Sequence, residues 1–239
     1  FRHYNSSLLN FDDLVGFPLP TAGGSLEYIK TPAAIWGAEA VIFDEISRCR
    51  PDMQNKLFPI VHERRVQGIL LEELRYRWAA MNPPVSDEGD GGYVGSEPLD
   101  PALADRFAFV VDMPGWDHFN EEEQIAVIRG DNGTVGTEAA DKLRQAIRSA
   151  KAALPAVAKT IGEPVAIYIR TVIALLSQAG LPLSPRRASM LHRSILAVHA
   201  VSASLSLDMQ PAEATLLALR NALPQRAQGI DIPELKLLS

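Results

Sequence analysis

An apolar run that stops abruptly at two adjacent carboxylates is the feature that most constrains the fold of this chain. Residues 40–43 read Ala-Val-Ile-Phe and are followed directly by Asp44 and Glu45. Two further apolar runs, at 76–81 and 107–111, also end at polar or proline-containing residues. Short runs of this kind are typical of buried parallel strands. We therefore predict a parallel sheet in the first half of the chain, with the carboxyl ends of its strands along one edge.

The second half of the chain has a helical pattern instead. Segments with glycine or proline separate five predicted helices, near 120–130, 137–153, 163–179, 185–206 and 211–223. The predicted organisation is an α/β part over residues 1–115, followed by an all-α part over residues 116–239.

Composition and charge exclude several classes. Hydrophobic residues make up 47% and charged residues 22% of the 239 residues, as in ordinary globular proteins. The net charge of −6 gives no indication of nucleic acid or an anionic membrane as partner. Cys49 is the single cysteine, which rules out an internal disulfide and fits the cytoplasm. The longest apolar stretch, 164–176, has about 13 residues and includes Arg170, so we predict no membrane span, which needs roughly 20.

The pair Asp44-Glu45 is the strongest candidate for chemistry. The carboxyl edge of an open α/β sheet is where ligands bind. In phosphoryl-transfer enzymes one acid of such a pair holds Mg²⁺, and the next polarises the water that attacks the terminal phosphate. Taken alone, such a string is more often a strand that ends in a polar turn.

Other polar residues stand at comparable positions. Asn82 follows the second predicted strand, where its amide could orient the attacking water or serve only as a turn residue. Arg106 could present a cation to charge developing in a transition state, or interact with a helix dipole. Arg186 and Arg187 open a helix that Ser184 caps. Cations are unfavourable at a helix start, so they indicate a nearby anion or an acidic neighbouring surface.

The order of these pieces resembles the AAA+ ATPases, and most of all their MoxR branch. The resemblance covers about residues 10–224 and implies a P-loop NTPase core with a parallel sheet, followed by an all-α lid. The matching strings are Phe43-Asp44-Glu45-Ile46-Ser47-Arg48 followed by Gln54, Ala80-Met81-Asn82-Pro83-Pro84, Gly92-Tyr93 leading to the segment 99–107, Ser184-Pro185-Arg186, and Ala218-Leu219-Arg220-Asn221-Ala222-Leu223-Pro224.

The resemblance also implies roles, with ATP and Mg²⁺ as the ligands. The segment 16–36 would contain the helix-2 insertion, and the segment 66–75 would contain the pre-sensor-1 hairpin. Such ring ATPases direct both elements toward partners or substrate. Arg187 stands where the family commonly has a small residue, so either it or Arg186 could contact the phosphates. The implied roles are Asp44 as the Walker B metal-associated acid, Glu45 as the catalytic base, Asn82 as sensor 1, Arg106 as an arginine finger acting on a neighbouring subunit, and Arg186 as sensor 2.

The family's phosphate-binding loop, Gly-x-x-x-x-Gly-Lys-Ser/Thr, does not occur in this sequence, because none of its six lysines follows a glycine. We expect that loop upstream of Phe1, and we expect the chain alone to be inactive. The longer protein would be an ATP-hydrolysing homo-oligomer, a hexameric ring. It would remodel a protein client or activate a metalloenzyme complex, beside a von Willebrand A-domain partner.

Two alternatives remain at this point. In the first, the protein is a helicase-like nucleic-acid motor, in which a basic strip on the predicted hairpin would be expected. Arg75 together with Arg77 gives thin support for it. In the second, it is a non-hydrolysing adaptor or scaffold of the AAA+ type.

Overall fold

The computed structural model describes residues 1–83, 97–130, 136–230 and 232. Pro84 and Gly92-Tyr93, which belong to the strings that resemble the MoxR branch, lie outside the described residues.

The chain divides into two compact units. The first comprises Phe1–Phe107 together with Pro224–Ile232, and the second contains Ala108–Leu223. The boundary predicted from sequence, between residues 115 and 116, lies slightly later than this division.

The first unit contains the strands and three short to medium helices. The helices are α1 (Phe11–Val15), α2 (Pro51–Glu63) and α3 (Pro101–Ala104). The strands are β1 (Arg2–Asn5), β2 (Phe17–Pro20), β3 (Leu26–Ile29), β4 (Ala40–Asp44), β5 (Arg65–Val66), β6 (Ile69–Leu70) and β7 (Tyr76–Ala79).

The sheet that organises this unit is parallel and has the order β1-β4-β7. Its central strand, β4, is anchored by Val41 and Phe43, whose side chains are fully buried. Tyr4 of β1 stacks on Phe43, with ring centroids 5.8 Å apart. Because all three strands run the same way, the polar residues that follow β4 and β7 lie at one edge of the sheet, as predicted.

Two antiparallel hairpins project from this framework, β2–β3 and β5–β6. The first falls within the segment 16–36 predicted to contain an insertion, and the second begins one residue before the predicted hairpin at 66–75. Gly16 precedes the first hairpin with φ 90°, and a Cβ added there would lie 2.1 Å from the Ile29 carbonyl oxygen. Only glycine fits this position. In the second hairpin Gln67 and Gly68 both have positive φ, the pattern of the tight turns that join antiparallel strands.

The strand predicted at 107–111 is not present, and that prediction is wrong. Apolar composition alone does not make a strand, since a strand needs a ladder partner. Here Val110 N donates to the Asn221 carbonyl oxygen at 2.7 Å, and Arg187 Nη1 donates to the Ala108 carbonyl oxygen at 3.4 Å. The segment is thus held by the helical unit instead of by a neighbouring strand.

The described residues of the second unit form helices and connecting segments, without a strand. The helices predicted at 137–153 and 163–179 form one helix that passes through Pro155 and Pro164, although neither proline can donate a main-chain hydrogen bond. Packing against the next helix compensates, since these two helices share the most extensive interface between any two described elements. The observed helices are α4 (Glu121–Ile128), α5 (Thr137–Gln178), α6 (Pro185–Ser204) and α7 (Pro211–Asn221).

Helix α5 is also long and apolar enough, by length and composition, to cross a membrane. In its most apolar window 22% of the residues are buried within the unit. Core helices of soluble proteins meet the same two criteria, so this property is weak evidence of a membrane span.

Candidate functional site

Asp44 is the last residue of β4, and its carboxylate is fixed by two contacts. One oxygen, Oδ1, accepts a hydrogen bond from Glu45 N at 3.0 Å. The other, Oδ2, lies 3.4 Å from His3 Nε2 on β1. The side chain is 42% exposed, so a ligand at the edge of the sheet can reach this carboxylate.

Glu45 leaves the strand in a left-handed backbone conformation, with φ 54° and ψ 37°. This conformation is uncommon for a residue with a Cβ and costs about 1 kcal/mol. It turns the chain into a short 3₁₀ helix, Ile46–Arg48. The carboxylate Oε2 of Glu45 then lies 2.9 Å from Arg48 Nε. Strain of this kind is frequent at functional sites, where the surrounding structure holds a side chain in a required direction.

The end of β7 lies directly beside Asp44 and Glu45. Ala80 N donates to the Phe43 carbonyl oxygen at 2.9 Å, and Ile46 N donates to the Ala80 carbonyl oxygen at 3.1 Å. Asn82 follows two residues later and is partly buried. The structure thus brings three residues singled out in the sequence, Asp44, Glu45 and Asn82, to adjacent strand ends.

The site can offer Mg²⁺ one carboxylate, that of Asp44, with the remaining ligands supplied by phosphate and water. The described residues contain no cluster of three or more His, Cys, Asp or Glu side chains that could hold a metal. Mg²⁺ is commonly bound by one or two carboxylates, with phosphate oxygens and water completing its octahedron. Asp44 can supply that single carboxylate when a nucleotide supplies the phosphates.

Arg106 follows α3 and is held within the first unit. Its guanidinium lies over the Phe58 ring, 4.1 Å from the centroid, and Nη1 donates to the Ala102 carbonyl oxygen. Helix α3 itself is fixed by Asp100, whose Oδ1 accepts from Ala102 N at 2.8 Å and Leu103 N at 3.0 Å. Arg106 is partly exposed. Its position therefore depends on a capped helix and an aromatic ring.

The two arginines at the start of α6 have different environments. Ser184 caps the helix, its Oγ accepting from Arg187 N at 3.0 Å. Arg187 has no exposed surface, and Nη1 donates to the Ala222 carbonyl oxygen at 3.2 Å and the Ala108 carbonyl oxygen at 3.4 Å. Arg186 is partly exposed. Arg187 is thus buried within the helical unit, whereas Arg186 is partly exposed.

Cys49 lies between Arg48 and Arg50, two cations that could lower the pKa of its thiol. Burial outweighs this effect and, with the nearby Asp52, raises the pKa of the Cys49 thiol to about 11. The thiol is 3% exposed. It is therefore protonated at neutral pH and acts as a small apolar side chain.

The arginines behind the nucleic-acid alternative have partners within the first unit. Arg75 Nη1 lies 3.7 Å from Glu39 Oε1, and Arg77 Nη1 donates to the Arg75 carbonyl oxygen at 3.0 Å. Burial lowers the pKa of the Arg77 guanidinium, and the nearby Arg64 adds to this effect.

Sequence reasoning missed two residues at this site. Arg48 had a signal, since residues three apart on a helical turn are neighbours and opposite charges there attract. His3 had no comparable signal, because β1 has only four residues and just one of them, Tyr4, is buried.

The chain is similar in fold to a proposed ATPase from Cytophaga hutchinsonii. The match covers 99% of this chain and 74% of that protein, with a TM-score of 0.54 and 18% sequence identity. At this identity the likeness shows the fold alone. No protein-family model and no curated protein matches the chain. The predicted fold class, a parallel α/β sheet followed by an all-α region, is confirmed.

Proposed function

We propose that the chain supplies the hydrolytic and lid parts of a MoxR-like AAA+ ATPase. The observation that carries this proposal is the adjacency of the carboxyl ends of β4 and β7, which brings the segments bearing Asp44, Glu45 and Asn82 together. The likeness in fold to the proposed ATPase from Cytophaga hutchinsonii supports the same class of reaction.

In the proposed reaction, water attacks the γ-phosphorus of ATP, and the bond from that phosphorus to the β,γ-bridging oxygen breaks. The products are ADP and inorganic phosphate. Glu45 orients the water and accepts its proton, and Asn82 contacts the water or the γ-phosphate. Asp44 holds Mg²⁺, which neutralises charge on the phosphate oxygens when it is bound.

The arginines Arg106, Arg186 and Arg187 have separate roles in this proposal. Arg106 reaches the nucleotide of a neighbouring subunit and stabilises the charge that develops on the γ-phosphate. Arg186 is sensor 2 in this proposal, because it is partly exposed. Arg187 is assigned to packing, since its guanidinium is buried against main-chain carbonyls.

The proposed assembly is a cytoplasmic homo-hexameric ring that remodels a protein client, beside a von Willebrand A-domain partner. Exposed apolar side chains on β2–β3 support contact with a protein. Phe17, Leu19 and Ile29 are 52%, 48% and 52% exposed, and Phe17 is paired with Ile29 across the hairpin. Apolar side chains in this arrangement are typical of a surface that binds another polypeptide.

The test is ATP hydrolysis by the full-length polypeptide, which in this proposal carries a Gly-x-x-x-x-Gly-Lys-Ser/Thr loop upstream of Phe1. We expect Mg²⁺-dependent release of phosphate, and loss of nucleotide binding when the lysine of that loop is changed to alanine. A full-length polypeptide without such a loop, or one that binds no nucleotide, would contradict the proposal.

A further inference from the structure

The helical unit contains a cavity of about 680 Å³ lined by residues of α5, α6 and α7. The lining from α5 and from α7 is largely apolar. Ile161, Pro164 and Val165 lie on the α5 side, and Pro211, Ala212 and Leu216 lie on the α7 side. Cavities of roughly 300–1,000 Å³ with apolar walls and a few polar groups are typical of small-molecule sites.

The polar groups of the cavity offer little uncompensated charge. Glu213 Oε2 accepts from Gln210 N at 3.0 Å and so caps α7, where the positive end of the helix dipole also offsets its charge. Burial lowers the pKa of His199, so its imidazole is neutral at neutral pH. An anion entering this cavity would lose water without gaining a cationic partner among its lining residues. A cation would meet only Glu213, whose charge the α7 dipole partly offsets, so charged ligands are disfavoured.

The Nε2 atom of His199 is already used in a hydrogen bond, so it cannot donate to a ligand. Thr215 Oγ1 donates its proton to the Pro211 carbonyl oxygen at 2.9 Å. It must therefore accept at its other contact, with His199 Nε2 at 3.0 Å, so Nε2 carries the proton. His199 Nε2 and Thr215 Oγ1 therefore satisfy each other, and Thr215 is also bonded to the main chain.

Tyr168 differs from the other polar groups of the cavity. Within the described ranges its hydroxyl has no hydrogen-bond partner, although burial is sufficient to raise the pKa of this phenol. The side chain is 37% exposed and lines the cavity from α5. A partly desolvated hydroxyl without a partner is a donor that an entering molecule can satisfy.

We propose that this cavity binds an uncharged, mainly apolar small molecule that presents one hydrogen-bond acceptor to the hydroxyl of Tyr168. The volume fits a molecule of drug-like size, the walls match an apolar body, and Tyr168 fixes its orientation. This site is distinct from the proposed site of ATP hydrolysis, because none of the residues assigned to that reaction lines the cavity.

The experiment uses Nile red, an uncharged aromatic dye with a carbonyl acceptor, titrated into the 239-residue chain and followed by fluorescence. We expect saturable binding of one dye per chain. Ala212→Trp fills the cavity and should weaken binding at least about tenfold, because a packed indole excludes the dye. Tyr168→Phe keeps the ring and removes the donor, and should weaken binding about fivefold.

The matched control is Ile167→Trp. Ile167 is 55% exposed on α5, next to Tyr168 in sequence, and does not line the cavity. This variant adds the same indole and should leave the affinity unchanged. Circular dichroism of each variant verifies that the helical unit is folded. The proposal is wrong if binding does not saturate, or if folded Ala212→Trp and Ile167→Trp bind the dye equally well.

Discussion

Arg48 Nε lies 2.9 Å from Oε2 of Glu45, the strained residue that directly follows β4, and the two residues are one turn of 3₁₀ helix apart. The two side chains are 39% and 30% exposed, so water screens their attraction. An exposed pair of this kind contributes little to stability, at most about 1 kcal/mol. The ion pair instead orients the Glu45 side chain. Arg48 holds Oε2 of the carboxylate, and Oε1 remains available to accept a proton.

Replacing Arg48 with alanine should therefore lower kcat for ATP hydrolysis by the full-length polypeptide about tenfold, because a base that is no longer oriented loses part of its catalytic effect. The affinity for nucleotide should not change, since Arg48 has no proposed contact with the phosphates. Steady-state kinetics together with equilibrium binding of ATP separate these two quantities.

The control for this change is Arg50→Ala. Arg50 is also exposed and paired, but its partner is Asp52, whose Oδ1 lies 3.4 Å from Arg50 Nε, and not Glu45. Its loss should leave kcat unaltered. A rise in kcat for Arg48→Ala would show that the ion pair holds Glu45 away from the water, contrary to this account.

The arginines at the start of α6 should respond in opposite ways. Arg187→Met keeps much of the apolar volume but leaves the Ala108 and Ala222 carbonyl oxygens without these donors, and should lower the free energy of unfolding by about 3 kcal/mol. Arg186→Met should change it by less than about 0.5 kcal/mol while abolishing turnover in the full-length polypeptide. Urea denaturation followed by circular dichroism measures the first effect. Equal destabilisation by both changes would contradict the assignment.

Arg106 and Glu45 are predicted to act on the same nucleotide from different subunits. Full-length Arg106→Ala and Glu45→Gln should each be inactive alone. When the two variants are mixed and allowed to exchange subunits, about a quarter of the sites should contain an intact Glu45 and an intact Arg106 from its neighbour. Phosphate release should reappear on mixing. Continued inactivity in rings shown to be mixed would place both residues in one subunit.

His199 should make the helical unit less stable in acid. Its folded pKa is lowered by burial, so the unfolded chain takes up a proton at higher pH than the folded chain. The contribution to stability is full above the ordinary histidine pKa of about 6.5 and is lost as pH falls below it. His199→Gln retains an amide that can donate to Thr215 and removes the titration. The difference in unfolding free energy between the two proteins should depend on pH in this window, and a constant difference would exclude the effect.

The parts of the fold that were predictable from sequence are those with strong local signals. Buried residues at 41 and 43 followed by two acids defined β4, and Ser184 with a following proline defined the start of α6. In both cases the local sequence and the tertiary environment favour the same structure.

The errors occurred where tertiary contacts decide the structure. The segment 107–111 has strand composition, but its main chain bonds to the helical unit. Pro155 reads as a helix break, yet α5 continues because its packing against α6 outweighs one lost hydrogen bond. At the site, residue types were readable from sequence, whereas the left-handed turn at Glu45 and its contact with Arg48 required coordinates.

The most direct test of the central claim compares Glu45→Gln with Glu39→Gln in the full-length polypeptide. Glu39 is an exposed carboxylate just before β4, paired with Arg75 at 3.7 Å. We expect Glu45→Gln to bind Mg²⁺-ATP normally and to lose hydrolysis by at least about a hundredfold, as expected for loss of a general base. Glu39→Gln should hydrolyse ATP at the unaltered rate. Undiminished hydrolysis by Glu45→Gln would contradict the assignment of Glu45 as the base that activates water.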